Sequence, residues 1–123
     1  MQVAAAPKST HPACSRIVWP TSVADRSRRA TSPLDPSTAA WGDPAIIARC
    51  GYAALAPTTA DCLSVDGIDW IIRELTDGTA FTTYGTDPAV EVLVPESYAP
   101  ETMVLPDFDD AARTLPQTGH HCT

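Results

Sequence analysis

The residues best suited to chemistry sit near the two ends of the chain. His11-Pro12-Ala13-Cys14 opens it and His120-His121-Cys122 closes it. Imidazole and thiolate are the ligands zinc prefers, so if the ends met, His11, Cys14, His121 and Cys122 would make a tetrahedral set. The spacing matches no zinc finger, and adjacent His-Cys ligands are awkward to close around one ion. The cysteines have a second use. Cys14, Cys50, Cys62 and Cys122 are even in number and lack C-x-x-C spacing, which argues for structural disulfides over thioredoxin-type exchange. Cys50 and Cys62 bracket the connection Gly51 to Asp61, and domain termini often lie close together, so the expected bridges are Cys50–Cys62 and Cys14–Cys122. Two such closures would contribute several kcal/mol, roughly 3 and 4.7 in the loop-entropy model, and would require an oxidising compartment. No metal or other cofactor is expected.

Other polar groups offer weaker chemistry. Asp107-Phe108-Asp109-Asp110 supplies oxygens that calcium could use, but without EF-hand spacing. The same run suits a helix N-terminus, where the macrodipole favours negative charge. Ser64 and Ser97 are nucleophiles by type only, and no G-x-S-x-G, H-E-x-x-H or phosphate loop is present. Asp69 and Glu91 could serve as the carboxylate pair of a glycoside hydrolase if a cleft held them roughly 5–9.5 Å apart. Trp41, Arg49, Arg73, Tyr84 and Glu91 form the candidate binding set, since tyrosine, tryptophan and arginine are the usual interface anchors. The plain alternative is a polar outer sheet face laced with weak ion pairs, with Asp69 and Thr82 among them.

The elements that must position these groups are mostly strands. Asp66-Gly67 between Cys62–Val65 and Ile68–Leu75 is a type I′ hairpin signal, because both central residues need φ > 0. A two-residue turn pairs Val65 with Ile68 and Leu63 with Trp70. Asp77-Gly78 predicts a second hairpin into Thr79–Tyr84, and Gly85-Thr86-Asp87-Pro88 a third turn into Ala89–Val94. Alternation puts Ile68, Trp70, Ile72, Phe81, Val90, Val92 and Val94 on the core side. Ala45–Cys50 is a further strand candidate. Thr10 can cap a short helix with Pro12 in its first turn, and Asp107 one over Phe108–Leu115. Residues 1–9 are expected to be disordered, and 21–38 read as a long surface loop. The expectation is an α+β fold: a four-stranded antiparallel meander with short N- and C-terminal helices on one face and two disulfides, in a single domain over 10–123.

Bulk properties narrow the partners. At 123 residues the chain fits one domain with one modest core. Its 12 prolines, about twice the usual frequency, demand loops and edges. A formal net charge of -7 repels phosphate backbones and anionic lipid, so nucleic acid is not an expected partner. The Arg26, Arg28, Arg29 run is too short to reverse this and reads as a solvated loop. No apolar run reaches the ~20 residues a span needs, and the start reads as that of an already mature chain, so membrane attachment is expected only through a segment absent here.

Trp41-Gly42-Asp43-Pro44-Ala45-Ile46-Ile47-Ala48-Arg49-Cys50-Gly51 resembles the actinobacterial domain of unknown function 3515. So do Pro57-Thr58-Thr59, Cys62, Val65-Asp66-Gly67-Ile68-Asp69-Trp70, Phe81-Thr82-Thr83-Tyr84-Gly85 and Pro88-Ala89-Val90-Glu91-Val92, in order and spacing, so that the likeness covers roughly residue 12 onward. It implies an exported or envelope-anchored protein and assigns no catalytic residue. Family members often carry arginine after the Tyr-Gly pair, where this chain has Thr86. The resulting expectation is a monomeric, non-catalytic accessory or binding domain of the cell envelope, secreted or envelope-associated, with an envelope protein or cell-wall component as partner. The alternatives are a small hydrolase acting on cell-wall material and a zinc-stabilised module.

Overall fold

The computed structural model describes residues 1–57 and 60–122. Its centre is one antiparallel sheet of eight strands: β1 Ser22–Val23, β2 Arg26–Arg29, β3 Thr38–Trp41, β4 Ile46–Tyr52, β5 Cys62–Val65, β6 Ile68–Leu75, β7 Gly78–Tyr84 and β8 Ala89–Pro95. Their spatial order is β1-β2-β3-β4-β8-β7-β6-β5. Two consecutive meanders, β1–β4 and β5–β8, therefore join edge to edge through the β4–β8 pair. The four-stranded expectation is overturned by the first meander. Its strands β1 to β3 fall in or beside the stretch read as loop. β2 is Arg-Ser-Arg-Arg, exposed throughout, so it has no hydrophobic alternation to read. It is a strand because Arg28 and Arg29 pair with Trp41 and Ala40 of β3.

The second meander follows its turn chemistry. Val65 pairs with Ile68 and Leu63 with Trp70, around Asp66 and Gly67 at φ 55° and 83°. The next turn differs from expectation by one residue. Leu75 pairs with Gly78, so Thr76-Asp77 turns and Gly78 begins β7. A Cβ at Gly78 would run into the Val94 carbonyl, so the glycine serves strand packing there.

Helix is short. α1, Pro12–Ser15, is capped by His11 rather than Thr10: Ala13 N donates to His11 Nδ1 at 3.0 Å. The C-terminal helical segment is a 3-10 stretch, Glu101–Phe108, running into α2, Asp109–Arg113. Pro106 lies inside it, and a proline lacks the N–H that a continuous α-helix would need. No side chain caps α2. Asp107 instead accepts from Ala24 N at 3.0 Å, tying this segment to the β1–β2 turn.

One sheet face and the C-terminal helical segment enclose the core. Ile68, Trp70, Phe81, Val90, Val92 and Val94 are buried there against Val104, Leu105, Phe108 and Leu115. Trp19, Trp41 and Phe108 meet edge to face at centroid distances of 5.3 to 6.4 Å. Their polar edges are satisfied, since Trp19 Nε1 donates to Pro36 O and Trp41 Nε1 to Pro20 O, each at 2.9 Å.

Both disulfides form, with different partners from those expected. Cys14 bonds Cys50 and Cys62 bonds Cys122, at Cα separations of 5.4 and 5.6 Å. Strand order supplies the reason. β4 and β5 are separated by β8, β7 and β6. Four strand spacings of ~4.8 Å put Cys50 and Cys62 far beyond the ~7 Å limit for a bridge. Residues 1–9 also depart from expectation. Val3 and Ala6 are buried, Val3 N donates to Ser32 O, and Lys8 N donates to Gly51 O at 2.7 Å. Gly51 permits this approach: a Cβ there would lie 2.6 Å from Ser9 N.

Candidate functional site

Residues directly opposite in an antiparallel pair share a face. The face opposite the core therefore carries two rows of interest. One runs Ile71, Thr82, Glu91, Arg49, Thr38 across β6, β7, β8, β4 and β3. The other pairs Ser64 with Asp69 and Asp69 with Tyr84 at one end of the sheet.

The first row gathers three of the expected binding residues into a closed cluster. Arg49 lies 3.6 Å from Glu91 Oε1 and Arg73 3.9 Å from Glu91 Oε2. Tyr52, which sequence reasoning did not single out, donates its hydroxyl to Glu91 Oε1 at 3.5 Å. Burial, and then the Glu91 charge, push the Tyr52 phenol above its ordinary range. Arg49 Nε donates to Ala4 O at 2.9 Å, so the N-terminal arm closes over the cluster. Every carboxylate oxygen of Glu91 is engaged. Trp41 does not join this set. It lies opposite Ile46 on the core side and is fully buried, so it carries no surface patch.

The second row borders a cleft of about 370 Å³ whose walls include Ile68, Asp69, Tyr84, Thr86, Arg113 and His121. The C-terminal tail builds one wall. Thr118 N donates to Gly85 O at 2.9 Å and Asp87 N to Pro116 O at 3.0 Å. Cys122 N donates to Asp69 Oδ2 at 2.8 Å, and His121 Nδ1 lies 3.5 Å from the same oxygen. The His120 ring stacks on Tyr84, centroids 6.0 Å apart and planes 25° from parallel. Gly85 must be glycine for this: φ is 86°, and a Cβ would strike the His120 carbonyl. Asp69 Oδ1 and the Tyr84 hydroxyl have no partner among the described residues.

Beside the cleft Arg113 is already engaged. It donates to Asp66 O at 2.9 Å and lies 3.9 Å from Asp109 and 3.7 Å from Asp110. Burial raises the Asp109 carboxyl to about 6, with Asp66 adding to the effect by hydrogen bonding and charge.

These placements revise the sequence-based chemistry. The zinc set loses both thiolates to disulfides, and no group of three or more metal-ligating side chains occurs among the described residues. Asp107 is committed to Ala24 N, and Asp109 contacts Arg113 through Oδ2 while its Oδ1 is buried without a hydrogen-bond partner among the described residues. The carboxylate pair is also split, because Asp69 lines the cleft whereas Glu91 is held among Arg49, Arg73 and Tyr52. Ser64 lies opposite Asp69, yet no hydrogen bond joins it to His121. Of the expected binding set, only Tyr84 reaches the cleft. The sequence signal for the remainder was the shared parity of Asp69 and Tyr84 in a hairpin; nothing local pointed to the tail.

Among the described residues no helix is long and apolar enough to cross a membrane. Neither a curated protein nor a solved structure matches the chain. A family model described as protein of unknown function (DUF3515) matches residues 1–118, a span that holds Asp69, Tyr84 and three of the four cysteines and stops short of the His120-His121-Cys122 clasp. With nearly all of its length matched, the chain belongs to the DUF3515 family.

Proposed function

We propose that this domain is a non-catalytic binding module of the cell envelope, and that its ligand, an envelope protein or a cell-wall component, seats in the cleft beside Asp69 and Tyr84. The observation that carries this reading is the unequal state of the polar groups on the open face. Those around Glu91 satisfy one another, whereas Asp69 and Tyr84 border a cavity with hydrogen-bonding capacity unused. Binding sites are concave and hold a few converging polar groups in this way. Two disulfides are compatible with an extracellular protein, which supports the compartment.

The test is an amide NMR titration with soluble cell-wall fragments, followed by mass spectrometry of the fragments. Binding in the cleft shifts the amides of Ile68, Asp69, Tyr84 and Thr86, leaves those of Arg49 and Glu91 in place, and returns the fragments unchanged. Shifts confined to the Glu91 cluster would refute the site. Cleaved fragments would refute the non-catalytic role. One observation favours that second, hydrolytic reading: Asp69 contacts His121 and faces Ser64 across the β5–β6 pair. Loss of cleavage in Ser64→Ala would then establish it.

A further inference from the structure

The geometry points to a primary ammonium group, such as a lysine side chain or the free amine of a wall peptide, as the part of the ligand that the cleft recognises. This deepens the binding assignment above and rests on it.

Three observations converge. Asp69 is 8% exposed and lines the cleft, yet only its Oδ2 is used, by Cys122 N and His121. Its remaining oxygen has no partner among the described residues. Tyr84, its cross-strand neighbour, brings an aromatic ring and a free hydroxyl to the same wall. A carboxylate beside a phenol hydroxyl is a pairing that holds an ammonium by charge-assisted hydrogen bonding.

Local charge agrees. The one guanidinium on the cleft, Arg113, is balanced by Asp109 and Asp110 and donates to Asp66 O, so it does not offset Asp69. Among the described residues Asp69 is the one carboxylate on the cleft wall, in a chain of formal net charge -7, so the local field does not favour an anionic ligand there. His121 is the intramolecular competitor for Asp69. Its side chain is 74% exposed and touches the carboxylate from the solvent side at 3.5 Å, a contact an entering ammonium can displace.

The probes are Nα-acetyl-lysine methylamide, its norleucine counterpart, which keeps the chain and lacks the ammonium, and Nα-acetyl-glutamate methylamide. Each is titrated into the whole protein by amide NMR. The lysine probe is expected to shift Asp69, Tyr84 and Thr86 and the other two to leave them still. Asp69→Asn keeps an oxygen for the Cys122 N–H and removes the charge; it should weaken lysine binding about tenfold or more. Should that variant fail to fold, Tyr84→Phe and a salt titration of the parent protein serve instead: binding weakens with added salt and only mildly without the hydroxyl. Norleucine or glutamate binding as tightly as lysine overturns the ammonium assignment and leaves the cleft a binding site. Wall fragments that shift the cleft amides while no probe does so overturn it equally. If neither fragments nor probes shift them, both assignments fall.

Discussion

The two terminal segments are docked on the sheet by the same devices, with different results. Each is tied by a disulfide to a strand, each crosses a glycine that admits its backbone, and each lies beside a largely buried carboxylate. At the N-terminal seat everything is closed: Cys14 and Cys50 are fully buried, Arg49 is held by Ala4, and Glu91 contacts two guanidiniums and a phenol. At the C-terminal seat Cys62 and Cys122 are partly exposed, the Asp69 carboxylate is half used, and a cavity remains. A docking motif that saturates its polar groups is structural. One that leaves capacity beside a cavity is the seat to which the proposal above assigns the ligand.

The two seats should differ most at the disulfides. Replacing Cys14 and Cys50 by alanine should cost about 4 kcal/mol or more in urea unfolding, because loop closure and buried packing are lost together. In the intact protein a dithiol reductant should open Cys62–Cys122 first, read by alkylation and peptide mass mapping. Prior labelling of Cys14 and Cys50 would erase the contrast. Next come the carboxylates. Glu91→Gln should destabilise by about 1–3 kcal/mol, since it removes the counter-charge of Arg49 and Arg73. Asp69→Asn should cost under ~1 kcal/mol, and an equal cost would make the two seats alike.

A smaller effect has the opposite sign. Asp109 is raised to about 6 in the fold, so its proton stabilises the protein below about pH 4, and that contribution is lost as pH climbs through about 6. Asp109→Asn should therefore raise stability at neutral pH, by about 1–2 kcal/mol, and flatten the melting temperature between pH 4 and 6. The smallest effect is spectroscopic. Tyr52 holds its proton above the ordinary tyrosine range, so its share of stability persists to about pH 10 and fades only beyond. Ultraviolet titration should show a late phenol that Tyr52→Phe removes. Glu91→Gln should move it part of the way back, because burial, the larger cause, remains.

The second meander was legible because its information is local. Asp66-Gly67 sets the hairpin register, and the Val90, Val92, Val94 alternation names the buried face. The first meander was not, because its strands owe their state to partners. Arg26–Arg29 has no buried face of its own, and Trp41 looked like a surface anchor beside Gly42-Asp43-Pro44 until β3 paired it with Ile46. Disulfide connectivity depends on strand order, which four cysteine positions do not encode. The Asp69–Tyr84 partnership follows from hairpin counting. The tail that walls the cleft comes from a stretch without periodicity, so no rule for strands or helices could place it there.

The sulfur linkages respect the boundary between the meanders. Cys14–Cys50 ties α1 to β4 and Cys62–Cys122 ties β5 to the C-terminal tail, and only the 53–61 connection joins the two halves in the backbone. A single protease cut in that connection would yield two covalently independent fragments, each internally cross-linked. They would be held together without a covalent link, by the β4–β8 ladder, the Glu91 contacts with Arg49 and Tyr52, the Ala24–Asp107 and Tyr98–Pro44 hydrogen bonds, and Phe108 packed on Trp19 and Trp41. The domain is thus laid out as a natural candidate for split-protein complementation, with β4 and β8 as the mating edges.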